Sequence, residues 1–220
     1  MRIGVFDSGK GGSFIATRLQ ALLPEHDFIV RDDATHVPYG TRAQAEILEL
    51  TDRAIQPLIA TCPIIVIACN TITTSAIHTL RDRYPNTMFV GLEPMIKPAA
   101  QLTHSHHILV LATPATLASA RYHSLKNSYA SDLVIDEPTT GHWPRLIEDG
   151  SLDSIDLSHA ITSHHNGADI IVLACTHYLA LIPRLHAAFP DMIILEPSDA
   201  IARRLRQLLA QPRFSSDQYD

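Results

Sequence analysis

The chain has 220 residues, 46% of them hydrophobic and 18% charged, with a formal net charge of −6 at pH 7. This length can bury the core of one large domain or two small ones. The acidic balance, with ammonium groups only at Lys10, Lys97 and Lys126, excludes the broad basic surface that nucleic acid requires. The longest apolar run, Pro63–Ala68, is far short of the roughly 18 residues of a membrane span. The opening Met1 to Gly9 reads as a strand and turn instead of a signal peptide, so a cytoplasmic protein with no membrane partner is expected.

Taken in chain order, Ile3–Phe6 reads as a buried strand running into Asp7, Ser8 and the glycine-rich turn Gly9–Gly12. A helix over Gly12–Leu23 ends at Pro24, and a strand follows at Phe28–Val30. Apolar residues three and four apart predict a helix over Arg42–Ala60. Strand Ile64–Ile67 precedes a helix over Ile72–Tyr84 that stops before Pro85. Strands are predicted at Met88–Val90, Ile108–Leu111 and Leu133–Ile135, then a helix over Ile155–His165 before Gly167, then strands at Ile170–Leu173 and Ile193–Leu195. Alternating strand and helix define the α/β class with a largely parallel sheet. No linker rich in Gly, Ser or Pro divides the sequence. Arg203, Arg204 and Arg206 read as solvated cations complementing a helix end.

Three cysteines, Cys62, Cys69 and Cys175, are an odd number without a secretory signal, so free thiols are expected. Two of them sit in an internal echo: Ile64 to Thr71 reads IIVIACNT, and Ile170 to His177 reads IIVLACTH. Each segment is an apolar strand delivering a cysteine at its carboxyl end, where open α/β sheets bind ligands. A cysteine just ahead of a helix feels the positive end of the dipole, which favours the thiolate. Buried cysteine is often only a small hydrophobe, and Cys62 beside Pro63 is read so. Asn70, Thr71, Thr176 and His177 follow Cys69 and Cys175 directly, and a packing cysteine needs no such company, so these two read as a pair of bases.

Asp7 and Ser8 end the first strand, and the glycines after them free backbone N–H groups for an anion or ammonium. The turn lacks the Gly-Lys-Ser/Thr ending of a phosphate loop and does not satisfy GxGxxG, so a nucleotide site is disfavoured. Lys10 reads as an exposed loop lysine. His104, His106, His107, His164 and His165 read as surface histidines and not as a metal site, as do His26, His36 and His142, with His142 placed at the border of the cleft.

Five motifs follow one another along the chain: Phe6-Asp7-Ser8-Gly9 with Gly11-Gly12, Val37-Pro38-Tyr39-Gly40, Ala68-Cys69-Asn70-Thr71, Leu111-Ala112-Thr113 with Thr116, and Cys175-Thr176-His177-Tyr178. In this order they resemble the motif set of the glutamate racemases, within the aspartate/glutamate racemase superfamily. The resemblance runs from Ile3 to about Ala202. It implies two similar α/β domains, 1–92 with 197–220 and 93–196, and an active site in the cleft between them. It further implies a racemase that needs no cofactor and no metal, takes a small amino acid as its partner and forms a homodimer. A pyridoxal phosphate enzyme would need a Schiff-base lysine, and none of the three lysines stands at a convincing strand end.

By the same resemblance Cys69 is the base for the D-enantiomer and Cys175 for the L-enantiomer, assisted by Asp7 and His177 respectively, with Asp7 also near the substrate ammonium. Ser8, Asn70, Thr71, Thr113, Thr116 and Thr176 hold the carboxylates, with backbone N–H groups around Tyr39 and Gly40 and with Pro38 beside them in the substrate site, and Glu148 stands near the catalytic histidine. His177 matches the glutamate enzymes, whereas many aspartate racemases carry a carboxylate there. The sequence departs from the family at Asp33-Ala34-Thr35-His36, at Thr140 to Pro144, where Ala-Cys-Pro is usual, and at Glu196-Pro197-Ser198, and it is shorter than usual. The expected product is D-glutamate for peptidoglycan. The alternatives are a racemase for aspartate or another small amino acid, and a binding or regulatory paralogue with little turnover.

Overall fold

The structure, a computed structural model, describes residues 1–211. Eight strands form two four-stranded parallel sheets, one in each of two domains. The first holds β1 (Arg2–Asp7), β2 (Asp27–Asp32), β3 (Ile64–Ile67) and β4 (Met88–Gly91) in the order β2-β1-β3-β4. The second holds β5 (His107–Ala112), β6 (Val134–Asp136), β7 (Ile170–Ala174) and β8 (Ile193–Leu195) in the equivalent order β6-β5-β7-β8. Helices α1 (Gly11–Leu22), α2 (Gln44–Ala54), α3 (Gln56–Ile59) and α4 (Asn70–Arg83) flank the first sheet. Between β4 and β8 come α5 (Ile96–Leu102), α6 (Pro114–Leu117), α7 (Ala120–Tyr129), α8 (Trp143–Glu148), α9 (Ser158–His165) and α10 (Ile182–Ala188), and α11 (Ser198–Leu209) follows β8.

The inner strands β3 and β7 are apolar throughout, and β1 and β5 are apolar between their ends, because both faces are covered, as parallel sheets require. Ile64 and Val66 point into one core with Ile15 and Leu19 of α1, while Ile65 and Ile67 point into another with Ile47 of α2 and Ile72 of α4. Each such side chain contributes about 1.5–3 kcal/mol by leaving water. The first of these cores also takes in Ile171 and Leu173 of β7 and Ile201, Leu205 and Leu208 of α11, so one apolar mass joins both sheets. Arg206 of α11 donates to the Leu22 carbonyl at the end of α1 (2.8 Å).

Register positions the site. Phe6 pairs with Ile67 and Ala112 with Ala174, so β1 and β3 end level, as do β5 and β7. From between each inner pair the connections run outward in opposite directions, which opens a crevice at the carboxyl ends.

Two helices differ from their predicted spans. The periodic segment Arg42–Ala60 is two helices, with Pro57 in the first turn of the second, so the pattern survives while the backbone restarts. The helix expected from Ile155 begins at Ser158, because Asp156 accepts from the Ser158 N–H and hydroxyl (both 2.8 Å) and turns the chain first. One histidine is also misread: His107 is buried, with Nε2 2.9 Å from Asp136 and Nδ1 3.2 Å from the Asn166 carbonyl.

Candidate active site

Cys69 and Cys175 each occupy the residue between a buried strand and a helix. Cys69 precedes α4 and Cys175 precedes a 3-10 helix, Thr176–Leu181. Their backbones nearly match, with φ −145° and ψ 119° at Cys69 and φ −144° and ψ 130° at Cys175. The echo in sequence is therefore an echo in geometry. Both side chains line one crevice together with Ser8, Pro38, Tyr39, Gly40, Asn70, Thr71, Thr113, Thr176 and His177. The Val37–Pro38 peptide is cis.

Each thiol has its own polar support. Ser8 Oγ lies 3.6 Å from Cys69 Sγ and donates to Asp7 Oδ1 at 3.3 Å, while the Ser8 N–H donates to the same oxygen at 2.6 Å. On the other side His177 Nδ1 lies 3.9 Å from Cys175 Sγ, and His177 Nε2 lies 2.7 Å from Glu148 Oε1. An ionised carboxylate only accepts, so Nε2 carries a hydrogen, and Nδ1 is the ring atom turned to the thiol. Tyr178 steadies this segment: its hydroxyl donates to the Thr140 carbonyl (2.8 Å), and its ring packs edge-on to Trp143.

Three polar contacts tie the domains together around the crevice. Thr176 Oγ1 donates to Asp7 Oδ2 (2.8 Å), Thr71 Oγ1 meets Thr113 Oγ1 (3.0 Å), and the Lys10 N–H donates to Glu148 Oε1 (2.7 Å). Thr113 in turn donates to Thr116 (3.0 Å). The glycines of the first turn make room for these bonds. A Cβ on Gly11 would lie 2.5 Å from Thr176 Oγ1, and one on Gly9 would lie 2.5 Å from Glu148 Oε1.

Burial dominates the electrostatics. It pushes the Cys69 thiol up to about 12, with the Asp7 charge adding to the effect, and it raises Cys175 as well, reinforced by Cys69. Backbone N–H groups at the helix start do favour each thiolate, but by less. The expected dipole-lowered thiols are thus corrected: with both cysteines 6–7% exposed, desolvation outweighs the helix terminus. Asp7 is fully buried and raised to about 6, since burial outweighs the nearby His177 and the hydrogen bonds from Thr176 and Ser8. Burial would likewise raise Glu148, but the bonds from Lys10 and His177 prevail and hold it below its ordinary value.

Matched thiols on two equivalent strand ends suit a reaction that adds and removes a proton on opposite faces of one carbon. In agreement, a profile of the Asp/Glu/Hydantoin racemase family matches residues 14–205. The chain belongs to that family. The glutamate racemase of Ectopseudomonas mendocina (strain ymp) is 38% identical over 98% of this chain and 85% of the relative. That of Roseiflexus sp. (strain RS-1) is 37% identical over 95% and 79%. The Escherichia coli glutamate racemase, solved with L-glutamate and the activator UDP-MurNAc-Ala, superposes with a TM-score of 0.83 at 29% identity, over 94% of this chain and 82% of that one. The Francisella tularensis enzyme with D-glutamate gives 0.77 at 28% identity, over 97% and 82%. The protein is an amino-acid racemase similar to glutamate racemases.

In this racemase the crevice assembles most of the residues singled out in the sequence. Asp7, Thr116 and Glu148 do not line it; they stand behind Ser8, Thr113 and His177 and are hydrogen-bonded to them. Sequence reasoning passed over Val37, Pro114, Gly141, Pro144 and Ala174 as lining residues. Apolar or lacking a side chain, they show no chemistry in sequence, and their only signal was adjacency to the motifs. Gly141 and Pro144 border the crevice where His142 was expected to. Cys62 is packed in the α2/α4 core, as its sequence context indicates. Among the described residues no Lys or Arg lines the crevice, no group of three or more His, Cys, Asp or Glu is placed to hold a metal, and no helix is long and apolar enough to cross a membrane.

Proposed function

We propose that this racemase interconverts L- and D-glutamate without a cofactor, with Cys69 and Cys175 exchanging the α-proton from opposite faces. The observation that carries the reading is the placement of two thiols at matching strand ends of one crevice, each backed by a separate acid–base partner. A thiolate removes the α-proton and the C–H electron pair stays on the substrate, delocalised into its carboxylate. The opposite thiol then gives its proton to the same carbon from the other side. The two sulfurs finish with their protonation exchanged, and the reverse reaction restores them. By resemblance Cys175 serves the L-enantiomer and Cys69 the D-enantiomer.

Burial raises both thiols, so a substrate must help to ionise one. An ammonium group brought between them favours the thiolate. His177 Nδ1 is placed to take the proton of Cys175, and Asp7 acts on Cys69 through Ser8. Asn70 Oδ1 is buried without a partner and suits the substrate ammonium. Hydroxyls of Ser8, Thr71, Thr113 and Thr176, with backbone N–H groups near Tyr39 and Gly40, serve the carboxylates. Neutral donors already in place stabilise developing negative charge without a covalent sink.

One sheet in each half and the packing of α11 against α1 support a division into 1–92 with the segment from 197, and 93–196; residues 212–220 of that assignment lie outside the described residues. D-glutamate for peptidoglycan in the cytoplasm is the role this reading gives the product.

The test is incubation with each enantiomer of glutamate and of aspartate in D2O, following optical rotation and α-deuterium. Exchange with glutamate is expected, and Cys69→Ser and Cys175→Ser are each expected to abolish racemisation. Exchange with aspartate alone selects the other substrate, exchange with neither removes the racemase reading, and near-normal turnover in either variant removes the two-base assignment.

A further inference from the structure

We propose that Lys10 is a positioning residue for the proton transfer at Cys175: reaching from the first domain to the second, it fixes Glu148 against His177 and so keeps the imidazole aimed at the thiol. This rests on the two-thiol reading above. Lys10 makes three contacts with one residue. Its N–H donates to Glu148 Oε1 (2.7 Å), and its Nζ donates to the Glu148 carbonyl (2.9 Å) and lies 3.3 Å from Oε2. Glu148 is the last residue of α8, where carbonyls lack helical partners and a cation is favoured. Lys10 thus grips both the side chain and the backbone end that carries it.

The burial gradient gives the contact its consequence. The side chains of Lys10, Glu148 and His177 are 62%, 14% and 5% exposed in turn, and Cys175 is 7% exposed. Lys10 is therefore the wet end of a relay that becomes dry toward the thiol. Oε1 of Glu148 takes both the Lys10 N–H and His177 Nε2, so displacement of the carboxylate releases the ring. Gly9 permits this approach, since a Cβ there would lie 2.8 Å from His177 Nε2. Lys10 and His177 are the charged or titratable groups recorded against Glu148 from other elements, while on α8 itself Arg145 faces Asp149 (3.8 Å).

Lys10→Met tests the assignment, with Lys10→Arg as the conservative variant and Glu148→Gln as the background. A half-exposed ion pair limits the loss in kcat/KM near neutral pH to at most about five-fold. The loss is the same for both enantiomers, because mirror images have equal free energy. The acid limb of the kcat/KM profile is expected to move to higher pH in Lys10→Met and to return in Lys10→Arg. In Glu148→Gln, Lys10→Met is expected to do nothing further.

In the ligand-free protein the Glu148 side-chain carboxyl, followed by 13C NMR, is expected to titrate at higher pH in Lys10→Met. A loss of equal size at every pH, the same loss in the Glu148→Gln background, or an unmoved carboxyl titration each overturns the assignment. Wild-type protein inactive on every amino acid removes the racemase reading instead, and the NMR titration still decides whether Lys10 holds Glu148.

Discussion

Asp7→Asn is expected to make the protein more stable at neutral pH while disabling it. Asp7 is wholly buried and titrates at about 6, against 3.8 for an ordinary aspartate. Between those values the native state binds the proton more tightly than the unfolded chain, so stability falls as pH rises through the window. Below about pH 3.8 both states are protonated and the penalty vanishes; above about 6 it is complete and amounts to about 3 kcal/mol. Asparagine keeps the shape, accepts from the Ser8 N–H and faces Thr176 with an amide, without a charge to desolvate. Urea unfolding of wild type and variant from pH 4 to 8 isolates the effect, because groups remote from Asp7 titrate alike in both. The stability difference is expected to shift toward the variant by about 2.5 kcal/mol across this range, since about 0.5 kcal/mol of the penalty is already present at pH 4. Racemisation in the variant is expected to fall by about 100-fold or more, the usual weight of a positioned acid–base group. A stability difference that does not change with pH would falsify the buried, high-pKa carboxyl. Retained turnover would remove Asp7 from the chemistry.

Two further tests address the neighbours. Iodoacetamide should label Cys69 and Cys175 slowly in the ligand-free enzyme, with rates still climbing past the ordinary thiol value of 9.0; a labelling midpoint below that value at either residue contradicts the desolvation account. Gly11→Ala sits in the first turn of α1, where helix propensity alone predicts a gain of about 1 kcal/mol. The structure predicts the reverse, a loss of about 1–3 kcal/mol from overpacking against Thr176 and Asp7, and a urea midpoint raised above wild type would show that the turn yields without cost.

Much of this architecture was legible in the sequence because its signals are local. The fully apolar runs at β3 and β7 announce strands covered on both faces, and their repeat, each ending in a cysteine and polar residues, places two thiols at equivalent strand ends. The same patterning is blind to backbone restarts, which is why Pro57 and Asp156 moved helix boundaries that periodicity had drawn through them. It is equally blind to residues whose contribution is shape, such as Gly141 and Pro144.

What only the tertiary structure decided is the energetics of the site. Whether a cysteine ahead of a helix is a thiolate depends on how much water remains, and packing of two domains over the crevice removed enough to raise both thiols above their ordinary value. Which groups reach the substrate was likewise a matter of docking: Asp7 lies behind Ser8, Glu148 behind His177. Lys10, an isolated exposed lysine in a glycine turn by its sequence, acquired a partner 138 residues away because α8 ends against that turn. Local sequence dictates what a residue can do. Dielectric surroundings and long-range neighbours, set by the whole fold, determine its charge and the group it acts on.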